Sequence, residues 1–198
     1  METLIRKSYS NAKKGSELVK DWMDLLVRQH QFDPSATLLA TSVCSDEVNR
    51  TSLNFHDYLD HSSPFEMGGL AGYPFTGRTG LGAFLSHIPD GGGAIILYGP
   101  HIGVSGSGDA GFVKRVGQKE HTTCCGALQA TLATLQDSSG PTSDRDLDGQ
   151  MWNIESELAA EREAFLESET PIVAVTDVMY RKIDERVTRL ASDVAQSF

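Results

Sequence analysis

The sequence predicts an α/β domain with a central, largely parallel sheet flanked by helices. Three observations carry that prediction. Short apolar runs stand at 37–43 (TLLATSV), 94–99 (AIILYG) and 171–180 (PIVAVTDVMY), amphipathic helical patterns lie between and beside them, and glycine-rich turns interrupt them. At 198 residues the chain fits a single domain, 1–198, with an N-terminal helical arm over about 1–35. A chain of this length buries roughly two-thirds of its unfolded surface without added staples.

Taken in order, SELVKDWMDLLVRQHQF (Ser16 to Phe32) spaces Leu18, Trp22, Leu25 and Val27 near a period of 3.6, with Ser16 as N-cap, and predicts a packing helix. TLLATSV is a short, partly β-branched run and predicts an interior strand with Cys44 at its exit. Pro64 to Gly93 is dense in glycine and aromatic residues, which suits tight turns or close approach to a ligand. The DGGG turn at 90–93 leads into AIILYG, a second interior strand, and His101 follows its end. HTTCCGALQATLATL (121–135) predicts a helix with Cys124 and Cys125 at its start. DSSGPTSDRD (137–146) has the composition of a surface linker, and MWNIESELAAEREAFLESE beyond it predicts an acidic helix whose Trp152, Ile154, Leu158 and Phe165 need cover. PIVAVTDVMY predicts a third strand. No internal repeat or low-complexity tract is present.

Composition narrows the function classes. Seventeen basic against 27 acidic residues leave a formal charge of −10, and no Lys/Arg cluster interrupts that background, so a nucleic-acid partner is disfavoured. Three cysteines cannot pair completely, which argues against a disulfide framework and for a reducing compartment. The longest apolar runs fall far short of the roughly 20 residues of a membrane span, and the first residues contain no apolar signal core.

Open α/β sheets bind ligands at the carboxyl ends of their strands, and Cys44 and His101 both lie at such ends. Thiolate and imidazole are zinc ligands, and three of them leave a fourth position open for catalysis. A thiolate at a helix N-terminus is stabilised by the helix dipole, so Cys124 and Cys125 are candidates for the third place. The ligand spacings are long, unlike the tight CxxC pairs of structural zinc modules, which favours a catalytic site. Each residue alone has a plainer use: a strand-end cysteine packs as a small hydrophobe, and a lone histidine is usually just hydrogen-bonded.

Jointly the motifs say more. CSD at 44–46 resembles the Cys-x-Asp element of β-carbonic anhydrases, although Arg50 stands two positions later than their arginine. LYGPH followed by CCGALQA resembles that family's Gly-His strand end and the Cys-Gly-Ala that opens a helix. In β-carbonic anhydrases His and Cys are three residues apart; here His101 and Cys125 are 24 apart, separated by an insertion. That departure, with SVCSDEVNR, FHDYLDHSSPFEMGGLAGYPFTGRTGLGAFLSHIPDGG, YGPHIGVS and CCGAL, is similar to the limiting-CO2-inducible protein B family, the θ-type carbonic anhydrases, over most of the chain.

The resemblance implies a β-carbonic-anhydrase-like fold, a zinc cofactor, a homodimer, and interconversion of CO2 and bicarbonate by zinc-hydroxide attack. It implies Cys44, His101 and Cys125 as metal ligands, with Cys124 a rival for Cys125, and with His121, in HTTC, a rival for His101. Asp46 would orient the hydroxide while Arg50 holds Asp46, or Asp46 would itself occupy the fourth position and close the site. His56 or His61 could shuttle protons at the site edge, and the other histidines are structural by default. Arg78 is a weaker candidate for the bicarbonate side of the pocket, and Phe65, Tyr73 and Phe75 could form its apolar wall. The family suggests plastids for an algal source and cytoplasm for a bacterial one.

Three rivals stand beside this expectation: a catalytically silent binding or assembly subunit of the same fold, a zinc hydrolase of larger substrates, and a dinucleotide binder. Gly106, Gly108 and Gly111 formally match GxGxxG, but the preceding strand ends near Gly99, too early for a tight βα turn. NRT at 49–51 formally matches a glycosylation acceptor but overlaps the proposed site.

Overall fold

The computed structural model describes residues 2–30, 32–49, 58–59 and 63–195. Two short-range signals are realised directly as strands, β1 (Thr37–Val43) and β3 (Gly93–Gly99). They pair in parallel, Thr37 opposite Gly93 and Val43 opposite Gly99. β2 (Phe65–Glu66) pairs in parallel with the other edge of β1, so the sheet order is β2-β1-β3.

Both faces of this sheet are covered, as a parallel sheet requires. Side chains alternate along each strand. Leu39 of β1 and Ile95 and Leu97 of β3 pack with Val19 and Met23 of α2 (Gly15–His30). On the opposite face Ala40 packs with Leu81 and Phe84 of α3 (Arg78–Leu85) and with Leu190 and Val194 of α7 (Pro171–Ala195). The largest core cluster lies on that side too. It joins α4 (Gly126–Asp137), α5 (Gly149–Ala159), α6 (Arg162–Leu166) and α7 through Leu128, Ile154, Leu158, Phe165 and Ile183. Each such side chain, taken fully out of water, stabilises the fold by about 1.5–3 kcal/mol. A short α1 (Glu2–Ser8) precedes α2. An antiparallel pair, β4 (Phe112–Val113) with β5 (Thr122–Thr123), forms inside the insertion between His101 and Cys125.

Three expectations are corrected. Residues 171–180 are the first ten residues of helix α7, not a strand. Pro171 suits the first helical position, where its missing N–H costs nothing, and Val175, Met179, Ile183, Val187, Leu190 and Val194 recur three to four apart and are all buried. The β-branched start is overridden by that longer apolar stripe. In α2 the buried positions are Val19 and Met23, while Leu25 and Val27 are 42% and 57% exposed. Ser16 lies inside that helix, which begins at Gly15. The acidic helix breaks after Ala159 into α5 and α6, although Ile154, Leu158 and Phe165 are fully buried as their spacing requires.

The linker before α5 is tied to it. Glu155 is buried and accepts hydrogen bonds from the backbone N–H groups of Thr142 and Ser143 and from the Ser143 hydroxyl, each at 2.9 Å. Glycine is obligatory at 72, where φ is +77° and a Cβ would stand 2.2 Å from the Gly99 carbonyl oxygen. This close approach, with the Ser42 hydroxyl donating to the Gly72 carbonyl at 2.9 Å, joins the exits of β1 and β3. Among the described residues no helix is long and apolar enough to cross a membrane.

Candidate metal centre

The site is built where three chain segments end together. The β1–β3 register sets Val43 against Gly99, so Cys44 and His101 emerge from neighbouring strands at the same end of the sheet. Cys125 is the N-cap residue of α4, and the helix dipole there favours negative charge on its sulfur. Cys44, Cys124 and Cys125 are all buried and unbridged. Cys44 Sγ lies 3.7 Å from Cys125 Sγ, and these two with a His101 nitrogen lie within 4.8 Å of one another. A second set, Asp46, His101 and Cys124, satisfies the same limit.

The donors fit a zinc ion. Two thiolates about 2.3 Å from zinc in tetrahedral geometry stand about 3.8 Å apart, close to the separation of Cys44 and Cys125. His101 Nε2 is buried and has no hydrogen-bond partner among the described residues, a costly state that a metal would relieve. Its other nitrogen, Nδ1, is 3.5 Å from Cys124 Sγ. His121, the rival histidine, is exposed and belongs to neither set.

The thiols share charge unequally. A hydrogen bond from Cys125, the largest influence, pulls Cys44 down to about 4 against the opposing effect of burial, with His101 assisting. Cys125 is pushed up by that same bond and by burial. Burial alone would lower His101, but its interactions with the Cys124 and Cys44 thiols outweigh it and raise it to about 9.

Asp46 sits beside this cluster, with Oδ2 3.9 Å from His101 Nε2. Its guanidinium partner is Arg115, which the sequence did not single out. Arg115 Nη2 donates to Asp46 Oδ2 at 2.7 Å, Nε to Glu47 at 2.8 Å, and Nη1 to the Thr122 hydroxyl at 2.6 Å and the Thr123 carbonyl at 3.1 Å. The Val48 N–H donates to Asp46 Oδ1 at 3.2 Å. Burial opposes ionisation of Asp46, but the Val48 and Glu47 contacts and the Arg115 charge prevail and hold it below the usual carboxylate range. Arg50, the expected partner, lies outside the described residues, as do His56 and His61. The only sequence clue to Arg115 is its place in the insertion between two candidate ligands.

The remaining candidates take structural places. Arg78 is 70% exposed and pairs with Asp193 at 2.7 Å. Phe65 stacks on Phe84, and Tyr73 is buried against Phe75 with its hydroxyl donating to Glu157 at 2.7 Å. Gly106, Gly108 and Gly111 lie in the insertion loop, where Ser105 and Ser107 hydrogen-bond Asp109; no helix of at least one full turn follows until α4.

A parallel sheet covered on both faces by helices is the fold shared with the β-carbonic-anhydrase-like α/β proteins. The profile described as limiting CO2-inducible proteins B/C β-carbonic anhydrases matches residues 14–197, and the chain belongs to that family. The crystal structure of PtLCIB4, a homologue of the limiting CO2-inducible protein LCIB, is 34% identical with a TM-score of 0.86, over 98% of this chain and 80% of that one. The crystal structure of LCIB itself has a TM-score of 0.67 at 22% identity, over 95% of this chain and 78% of that one, and shares the fold. No curated protein matches the chain.

Proposed function

We propose that this protein is a zinc-dependent carbonic anhydrase that interconverts CO2 and bicarbonate, and that it works as a homodimer. The observation that carries this is the Cys44–Cys125 separation of 3.7 Å with a His101 nitrogen within 4.8 Å of both sulfurs. Cys44, His101 and Cys125 would hold the metal, three protein ligands being the number that catalytic zinc sites use. Bound there, zinc acts as a Lewis acid and acidifies water, to a pKa of about 7 in the carbonic anhydrases that use three histidine ligands.

The other parts are the chain's own. Two thiolates put more negative charge at the centre than neutral imidazoles would, and the Arg115 guanidinium offsets part of it. Asp46, held by Arg115 on Oδ2 and by the Val48 N–H on Oδ1, stays ionised and accepts a hydrogen bond from water in the site. With that proton held at the carboxylate, the water oxygen keeps a lone pair free to face the CO2 carbon. The reaction forms one C–O bond as one C=O π bond of CO2 breaks, its electron pair passing to the bicarbonate oxygen, and releases one proton. Cys44, Cys125 and Asp46 are shielded from bulk solvent, which strengthens each of these interactions.

Asp46 also supports a second reading. Its Oδ2 lies 3.9 Å from His101 Nε2, and with His101 and Cys124 it forms the second donor set, so the carboxylate is itself a candidate ligand that would close the site. The subunit would then bind or assemble without turnover. Stopped-flow CO2 hydration, with zinc measured on the same preparation and Cys44→Ala as control, decides between them. One zinc per subunit with activity that the substitution abolishes supports the enzyme. Zinc without activity supports the closed, silent subunit. No zinc sinks both.

A further inference from the structure

The proposed ligand set uses Cys44 and Cys125 and leaves Cys124, which is 1% exposed, without a role. Its backbone is fixed independently of any metal. The Cys124 N–H donates to the Gly111 carbonyl at 2.8 Å, and its carbonyl accepts from the Gly103 N–H at 2.7 Å. Gly103 packs so closely that a Cβ there would stand 2.8 Å from Cys124 Cβ. The sulfur is thereby delivered to a set place, 3.5 Å from His101 Nδ1. On the far side of the same ring, Nε2 is buried, lacks a hydrogen-bond partner among the described residues, and faces Asp46 at 3.9 Å.

A neutral imidazole donates from one nitrogen and offers a lone pair at the other, so whatever accepts the N–H decides which nitrogen can bind a metal. In metal proteins that acceptor is ordinarily a carboxylate, a backbone carbonyl or water. We propose that Cys124 is a positioning residue: its sulfur accepts the Nδ1–H of His101 and so fixes the tautomer that turns the Nε2 lone pair toward the metal. This rests on the zinc reading above and deepens it. The competing role makes Cys124 itself a ligand, with Asp46 and His101. The two roles therefore differ in whether the Cys124 sulfur contributes thiolate ligation and whether Nδ1 keeps its proton.

The test compares wild type, Cys124→Ala, Cys124→Val and Cys124→Ser, with Cys44→Ala as the ligand control. Zinc affinity is measured by chelator competition, thiolate ligation by sulfur-to-cobalt absorption of the Co2+ forms, and His101 metallation by 15N NMR of the zinc forms. Melting of the metal-free proteins identifies any variant that fails to fold. Valine fills the space without an acceptor, and serine keeps an acceptor. Expected are a zinc affinity about 10- to 100-fold weaker in Cys124→Ala and Cys124→Val, affinity within severalfold of wild type in Cys124→Ser, and cobalt absorption equal to wild type per bound ion in all three. The zinc-loaded wild type should carry the metal on Nε2 and the proton on Nδ1. Loss of thiolate absorption in the Cys124 variants would make Cys124 a ligand, and metal on Nδ1 would remove the N–H that its sulfur is proposed to accept; either result overturns the inference. Unchanged affinity in both Cys124→Ala and Cys124→Val would reduce it to core packing. Wild type that binds neither metal would overturn the zinc reading and this inference with it.

Discussion

Arg115 Nη2 lies 2.7 Å from Asp46 Oδ2 across 69 positions of sequence. Asp46 stands just past β1, and Arg115 stands in the loop between β4 and β5, so this bond ties the insertion to the rim of the candidate site. Glu47 and Thr122 hold the same guanidinium from two further sides. The insertion that separates His101 from Cys125 therefore brings a guanidinium onto Asp46.

Replacing Arg115 should lower CO2-hydration kcat/KM without emptying the metal site. Arg115→Ala is expected to cost about 10- to 100-fold with zinc content at the wild-type level. Arg115→Lys should recover little of it, because an ammonium cannot reproduce a planar fork that reaches Asp46, Glu47 and Thr122 together. Unaltered kinetics in Arg115→Ala would remove Arg115 from the mechanism.

The two histidines can be separated by metal content. His101→Ala should lose stoichiometric zinc, whereas His121→Ala should keep it, because His121 is exposed and outside both donor sets. Atomic absorption on the purified variants reads the difference directly. The opposite pattern would reassign the imidazole ligand.

Chelation should destabilise the fold. A ligand that binds only the native state at 100-fold above its Kd contributes about 2.7 kcal/mol, or about 5–10 °C in Tm for a chain of this size. Removing zinc by dialysis against a chelator and restoring it should move the melting temperature down and back by at least that much. Cys44→Ala should melt at the lower value with or without added zinc.

Glu155 should shape the acid limb of stability. Burial opposes its ionisation, but the N–H groups of Ser143 and Thr142 and the Ser143 hydroxyl prevail and lower its pKa from the ordinary 4.5. A carboxyl whose folded pKa is depressed contributes its stability above the unfolded pKa and loses it as pH falls through the folded one. Glu155→Gln should therefore cost about 1–3 kcal/mol at neutral pH, where hydrogen bonds to a charged acceptor are lost. Below the ordinary carboxylate range wild type and variant should converge. Urea melts at pH 7 and pH 3.5 test this, and a pH-independent difference would count against it.

Much of the layout was legible because its signals are local. TLLATSV and AIILYG became β1 and β3, since a short apolar run bounded by turn residues has little else to be in a sheet covered on both sides. The start of α4 at Cys125-Gly126 was legible for the same reason. Residues 171–180 were misread because ten residues show β-branched composition but not the stripe that continues to Val194. The glycine-rich span 64–93 concealed β2 and α3, because Arg78–Leu85 has two glycines and a weak helical signature; packing of Leu81 and Phe84 against Ala40 and Met67 supports it.

The sequence by itself determined the family, the two interior strands and a short roster of candidate metal ligands, because motif and periodicity are properties of neighbouring residues. Only the tertiary structure decided how that roster divides. It set Cys125 at 3.7 Å from Cys44, Cys124 against His101 Nδ1, His121 at the surface and Arg115 on Asp46. Each of those pairings spans more than twenty positions or turns on which way one side chain leaves the backbone. Such pairings are fixed by strand register, by the path of an insertion and by the packing around it, and none of these is encoded at the residues that finally meet.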